Sequence, residues 1–226
     1  MSCLGKTIQV VNKQVKSMEG LMKIKICGLR EVEHAVLAAE LGADLLGFVF
    51  ADSPRKIVPE QARKIIDKLP SSVFKVGVFV NADIRVINDI ISYCGLDIVQ
   101  LHGEETPEYC SAVQAQVIKA WRIKNEHTLV ELEPYRNFVE MFLLDTFVKG
   151  TAGGTGLTFD WSMVRRAARY GKIIMAGGLT PENVASAIKT AAPYGVDVSS
   201  GVETAGSKDM AKIESFIKQA RGRNYA

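Results

Sequence analysis

The chain has 226 residues, 47% of them hydrophobic and 23% charged, which suits a soluble globular protein with one sizeable core. The formal charge is +3, but the first 22 residues hold three lysines against one glutamate, so the body carries only about +1; this excludes a phosphate-neutralising face and nucleic acid as a partner. Cys3, Cys27, Cys94 and Cys110 form no CxxC pair, no apolar run approaches the ~20 residues needed to span a bilayer, and the first residues lack a signal-peptide core, so a reducing cytoplasm is expected and neither a disulfide framework, a zinc site nor a membrane anchor is.

Residues 1–22 join no later pattern and read as an extension: a vector-derived stretch, a start mis-assigned ahead of Met22, or a native arm. They are expected to be disordered and chemically irrelevant. From Lys23 short β-like runs alternate with longer 3.6-period segments. The strand candidates are 23–27, 44–50, 74–80, 97–102, 116–121, 140–145, 172–176 and 195–199.

Helix-like stretches lie between them, at 31–41, 59–69, 83–94, 107–115, 161–170 and 181–192. Pro59, Pro107 and Pro181 stand where a first-turn proline is tolerated, with Thr106 and Thr180 as N-caps before the latter two. Gly42, Gly95, Gly171 and Gly195 are placed as C-caps. Eight strand-helix units of about 25 residues imply an α/β fold, a single (β/α)8 TIM barrel with eight parallel strands over residues 23–226. The open doubly wound alternative would bring a GxGxxG first turn, and Cys27-Gly28-Leu29-Arg30 is not one.

Strand parity separates the two faces. The valines 76, 78 and 80, Val99 with Leu101, and Val196 with Val198 form apolar faces expected to meet the helices. The opposite parity places Lys25 with Cys27, Gln100 with His102, Leu143 with Asp145, and Asp197 with Ser199 inside the barrel.

Several of these residues carry chemistry. Cys27 ends the first strand, where a thiol could lift a carbon-bound proton if its surroundings help. Arg55, in the loop after the second strand, is either a carboxylate-binding fork or a solvated charge. His102 reads as a lining residue. Asp145 closes an apolar strand where desolvation would raise its pKa, suiting it to act as a general acid or else to cap the next loop. Glycine-rich loops follow the last three strands, at Gly153-Gly154, Gly177-Gly178 and Ser200-Gly201, and the last two occupy the usual phosphate position of this barrel. His34 and His127 fall in helix-like regions, no clustered ligand set suggests a metal, and Cys94 and Cys110 look like small apolar helix residues.

These segments carry a resemblance. Lys25-Ile26-Cys27-Gly28, the run Gly42 to Phe50, Ser53-Pro54-Arg55, the run Val76 to Asn81, Val99 to Glu104, Leu143-Leu144-Asp145, Gly153 to Gly156 and Val196 to Glu203 resemble, in order, the motifs of the phosphoribosylanthranilate isomerases of tryptophan biosynthesis. The resemblance covers Lys23 to about Gly222 and implies a cofactor-free, metal-free Amadori rearrangement of N-(5-phosphoribosyl)anthranilate to 1-(2-carboxyphenylamino)-1-deoxyribulose 5-phosphate. It implies Cys27 as general base, Asp145 as general acid, and Arg55 at the anthranilate carboxylate. Phosphate would be held by Gly153, Gly154, Gly177, Gly178, Ser200 and Gly201, with His102 lining the site and Asp197 behind it. The implied partner is the small-molecule substrate, with the chain a monomer or homodimer. Two alternatives stand beside it: a histidine-pathway isomerase acting on an aminoimidazole substrate, which Cys27 in place of an aspartate disfavours, and a non-catalytic sugar-phosphate-binding barrel.

Overall fold

Parallel strands need crossovers, and helices packed outside them supply these. The computed structural model describes residues 22–123, 126–145 and 161–222; most of the extension, with Gly153 and Gly154, lies outside the described residues. Strand β1 (Lys23–Cys27) leads to α1 (Val32–Glu40), β2 (Leu45–Val49), α2 (Pro59–Ile66), β3 (Phe74–Phe79), α3 (Ile84–Cys94), β4 (Ile98–Leu101) and α4 (Pro107–Ser111). Then come β5 (Gln116–Arg122), a 3-10 helix (Glu126–Tyr135), β6 (Met141–Asp145), α5 (Ser162–Ala167), β7 (Lys172–Ala176), α6 (Val184–Ala191) and β8 (Gly195–Val198). A hairpin of β9 (Glu203–Thr204) and β10 (Ser207–Lys208) precedes α7 (Met210–Arg221). Strands β1 to β8 pair in chain order, all parallel, and β1 closes on β8.

Local signals set several helix ends as the sequence implies. Pro59 and Pro107 occupy first-turn positions, and the Thr106 hydroxyl accepts the Tyr109 N–H at 3.3 Å. Gly95 caps α3 in the left-handed region. Two expectations fail. Helix α6 starts at Val184, so Pro181 stands in a preceding turn, where Thr180 Oγ accepts the Glu182 N–H and the Asn183 side chain accepts the Thr180 N–H. Gly195 is the first residue of β8 and not a cap: Ala192 ends α6, and a Cβ on Gly195 would come within 2.8 Å of the Lys23 carbonyl. Between β5 and β6 a 3-10 helix containing Pro134 replaces an α-helix, anchored by the edge-on Trp121–Tyr135 contact at 4.6 Å.

Two apolar layers hold the barrel. Ile24, Ile26, Leu46, Phe48, Val99, Leu101, Phe142, Leu144, Val196 and Val198 pack with the helices, and each fully buried large side chain contributes about 1.5–3 kcal/mol. Leu45, Phe74, Val76, Ile98, Ile118, Met141, Leu143 and Ile174 fill the interior. Val76, Val78 and Val80 therefore point inward, opposite to the expectation, with Val78 and Val80 lining the mouth. An all-valine face looks the same whichever side it meets. The outward positions of β3 are Lys75, Gly77 and Phe79, and Gly77 makes room for Leu96, whose Cδ1 would lie 2.5 Å from a Cβ there.

One buried ion pair organises the loop after β4. Glu105 accepts the Asn81 and Gly103 N–H groups at 2.8 and 2.9 Å and pairs with Lys119 at 3.2 Å, both side chains almost wholly buried. Glu105→Ala strands the lysine charge and two amides, so urea unfolding should show a loss of about 3–5 kcal/mol, with Glu105→Gln losing less.

Candidate active site

The C-terminal ends of the strands and the loops beyond them enclose a cavity of about 400 Å³, the size of a small-molecule site. Cys27, Arg55, His102, Asp145, Gly177, Gly178, Asp197, Ser200 and Gly201 all line it. Thus every described residue singled out from the sequence converges on one mouth. Gln100, Val49, Val78 and Val80 line it too.

Cys27 is buried, and β2 makes way for it: a Cβ on Gly47 would meet the thiol sulfur at 2.8 Å. Beneath it Lys25 is fully buried, its ammonium 2.8 Å from Asp197 Oδ1 across the β1–β8 seam. Burial pushes the Cys27 thiol up, Lys25 pulls it down, and Asp197 pushes it up again; the net direction is upward. For Lys25 burial disfavours the ammonium, but Asp197 and the thiol outweigh it and raise its pKa, so the lysine stays charged. Cys94 and Cys110, buried in helices as expected of small apolar residues, are pushed up to about 11 by burial.

Across the mouth Asp145 ends β6, half-buried. His102 lies beside Gln100, with Nδ1 3.4 Å from the Gln100 amide nitrogen, and among the described residues the buried Gln100 Oε1 has no hydrogen-bond partner. Burial lowers the His102 pKa, which Asp145 only partly offsets, so the ring is neutral at pH 7.

Loops after β7 and β8 form the third wall. Gly177 and Gly178 have φ of 89° and 65°, a region closed to most side chains, and the Asn183 amide braces this loop by donating to the Gly178 carbonyl at 2.9 Å. Gly201 lies so close to the Leu179 carbonyl that a Cβ would clash with it. Backbone can thus approach an anion from two loops without side chains intervening.

Arg55 reaches the mouth from the loop after β2, and its Nε and Nη2 donate to Glu203 Oε1 and Oε2 at 2.7 and 2.8 Å. Lys208 Nζ donates to the same carboxylate at 2.6 Å and to the Ser199 carbonyl at 2.9 Å, while Ser199 Oγ donates to the Cys27 carbonyl at 3.1 Å. Neither Glu203 nor Lys208 stands out as a functional residue in the sequence. Glu203 falls in the last matched motif, which was a signal; nothing local marks Lys208.

A closed eight-stranded parallel barrel with a thiol, a carboxylate, an arginine and two glycine loops at its C-terminal mouth defines an enzyme of the TIM-barrel class. The sequence pattern described as PRAI, N-(5'phosphoribosyl)anthranilate (PRA) isomerase, matches residues 24–219. The chain belongs to this family. It is 52% identical over 202 residues to the N-(5'-phosphoribosyl)anthranilate isomerase of Moorella thermoacetica, covering 89% of this chain and 90% of the relative. A phosphoribosyl anthranilate isomerase crystal structure from Thermotoga maritima superposes with a TM-score of 0.83 at 46% identity, covering 90% of this chain and 100% of that one. Another such isomerase, crystallised with reduced 1-(o-carboxyphenylamino)-1-deoxyribulose 5-phosphate, gives 0.80 at 44% identity with the same coverage.

Because burial dominates at Cys27, its thiol should be protonated through neutral pH in the free protein. Iodoacetamide labelling of Cys27, followed by peptide mass spectrometry, should still be accelerating about tenfold per pH unit as pH approaches the ordinary thiol value of 9.0; a plateau below pH 8 would contradict the burial argument.

Proposed function

We propose that Cys27 and Asp145 carry, as base and acid, the rearrangement of N-(5-phosphoribosyl)anthranilate to 1-(2-carboxyphenylamino)-1-deoxyribulose 5-phosphate that family membership gives the chain. The observation that supports the assignment is the convergence of both groups on one cavity from β1 and β6. Asp145 gives its proton to the furanose ring oxygen, the C1–O bond breaks, and a Schiff-base cation forms. Cys27 then removes the C2 proton, and the electron pair neutralises the cation to give an enolamine, which tautomerises to the ketone. The acid and base are thus separate groups on opposite sides of the sugar carbons.

The raised thiol pKa fits this sequence of events. Before ring opening little thiolate exists, and the cation formed at C1 favours the thiolate at the moment it is needed, with Lys25 and Lys208 pulling in the same direction. The substrate phosphate opposes them. We assign that phosphate to the backbone around Gly177, Gly178, Ser200 and Gly201, with Gly153 and Gly154 outside the described residues, and the anthranilate carboxylate to Arg55. His102, neutral, lines the site, and Asp197 acts from behind Cys27 through Lys25. The bound analogue of the solved relative has the same phosphate and carboxylate ends.

We place the reaction in the cytoplasm, in a single catalytic barrel spanning residues 23–226, with residues 1–22 as an extension outside it and the chain a monomer or homodimer. No described helix is long and apolar enough to cross a membrane. A Thermotoga maritima relative is described as dimeric.

Steady-state assays with phosphoribosylanthranilate test the roles. Cys27→Ser and Asp145→Asn should each lower kcat by about 10²-fold or more, while Arg55→Ala should act mainly on KM. Near-normal kcat in Cys27→Ser would remove the thiol as base. Turnover of the aminoimidazole compound alone would favour the histidine-pathway reading, and binding without turnover the non-catalytic one.

A further inference from the structure

Arg55 would be a poor carboxylate anchor if its side chain were free to swing, since a flexible stem loses rotamer freedom on binding and a fork must be presented in plane. The structure removes that freedom at three points. The Arg55 N–H donates to Ser53 Oγ at 3.1 Å, fixing the start of the side chain. The stem then crosses Gly28, where a Cβ would fall 2.6 Å from Arg55 Cδ and 3.2 Å from Ser199 Oγ, so only the glycine at φ 80° leaves the channel open. At the tip, Glu203 takes Nε and Nη2 in a bidentate pair at 2.7 and 2.8 Å, which fixes both the position and the plane of the guanidinium.

Glu203 does not line the reaction cavity, whereas Arg55 does. The carboxylate therefore holds the rear edge of the fork. Among the described residues no acceptor takes Nη1, so the edge formed by Nη1 and the second N–H of Nη2 is left for a ligand. Lys208, itself held by Ser199, adds a second positive charge to Glu203, so the trio keeps a net charge of +1 and can receive one carboxylate. Burial pushes the Glu203 pKa up, but the bonds from Arg55 and Lys208 outweigh it and hold it at about 2.

We propose that Glu203 is a positioning residue for substrate selection: by clamping the rear edge of Arg55 it presents the front edge in plane to the substrate carboxylate, so that the enzyme discriminates in favour of carboxylate-bearing ligands. This rests on the assignment of Arg55 to the anthranilate carboxylate. Glu203 itself touches no substrate. A merely structural clip for the hairpin of β9 and β10 would support phosphate and carboxylate recognition alike; a clamp acts on one end of the ligand only.

The test uses calorimetry with two ligands, reduced 1-(o-carboxyphenylamino)-1-deoxyribulose 5-phosphate and its counterpart lacking the ring carboxylate. Glu203→Gln should weaken the first about 10- to 100-fold and the second by less than about 3-fold, and in turnover should raise KM more than it lowers kcat. Equal loss for both ligands, or none for either, overturns the proposal. Glu203→Asp keeps the charge but withdraws it by one methylene; it should lower the preference about 3- to 10-fold, and it decides the same question if Glu203→Gln does not fold. Arg55→Ala separates the anchor from the clamp: if it leaves the preference intact, Arg55 is not the carboxylate anchor, whereas if Arg55→Ala abolishes the preference and Glu203→Gln leaves it intact, only the clamp is wrong. The double variant should lose no more than Arg55→Ala alone.

Discussion

Lys25 has no exposed surface, and its ammonium lies 2.8 Å from Asp197 where the first strand of the barrel meets the last. An unpaired charge there would cost several kcal/mol, so the pair can exist only if β1 and β8 close in one register, with Lys25 opposite Asp197. Closure in that register carries Cys27 to the lip beside Ser199 and the loop after β8. The same pair is the electrostatic ground under the thiol, one group favouring thiolate and the other opposing it.

A second polar chain runs above it. Ser199 links the Cys27 carbonyl to Lys208, Lys208 to Glu203, and Glu203 to Arg55. The site is thus built from β1, the loop after β2, and the segment after β8, elements distant in sequence but adjacent once the barrel closes. Glycines at 28, 47 and 201 are the empty spaces that let these parts approach: one for the Arg55 stem, one for the thiol, one for the contact between the last two loops.

The division of polar and apolar residues along the strands made the inward side legible at β1, β4, β6 and β8, because a lysine, glutamine, histidine or aspartate on one parity contrasts with isoleucine or valine on the other. It failed at β3, where Val76, Val78 and Val80 face the interior while the one charged residue, Lys75, lies on the outward side with its ammonium on the Pro70 carbonyl and near Asp97. Gly195 misled for a related reason: a glycine after a helix looks like a cap, and only the nearness of the Lys23 carbonyl in the neighbouring strand shows why a side chain is excluded. Arg55 stood open between loop charge and ligand from its own surroundings, since a loop arginine has no periodicity to orient it.

By itself the sequence determined the eight-unit alternation, the inward polar groups at four strand ends and the glycine loops after β7 and β8, because each is a property of neighbours one to four residues apart. The ordered motifs also marked the family. Only the tertiary structure decided that Lys25 pairs with Asp197, that Gly47 makes way for Cys27, and that Glu203 and Lys208 hold Arg55. The partners of Lys25 and Arg55 lie 172 and 148 residues away along the chain, and no local pattern encodes a contact made by ring closure.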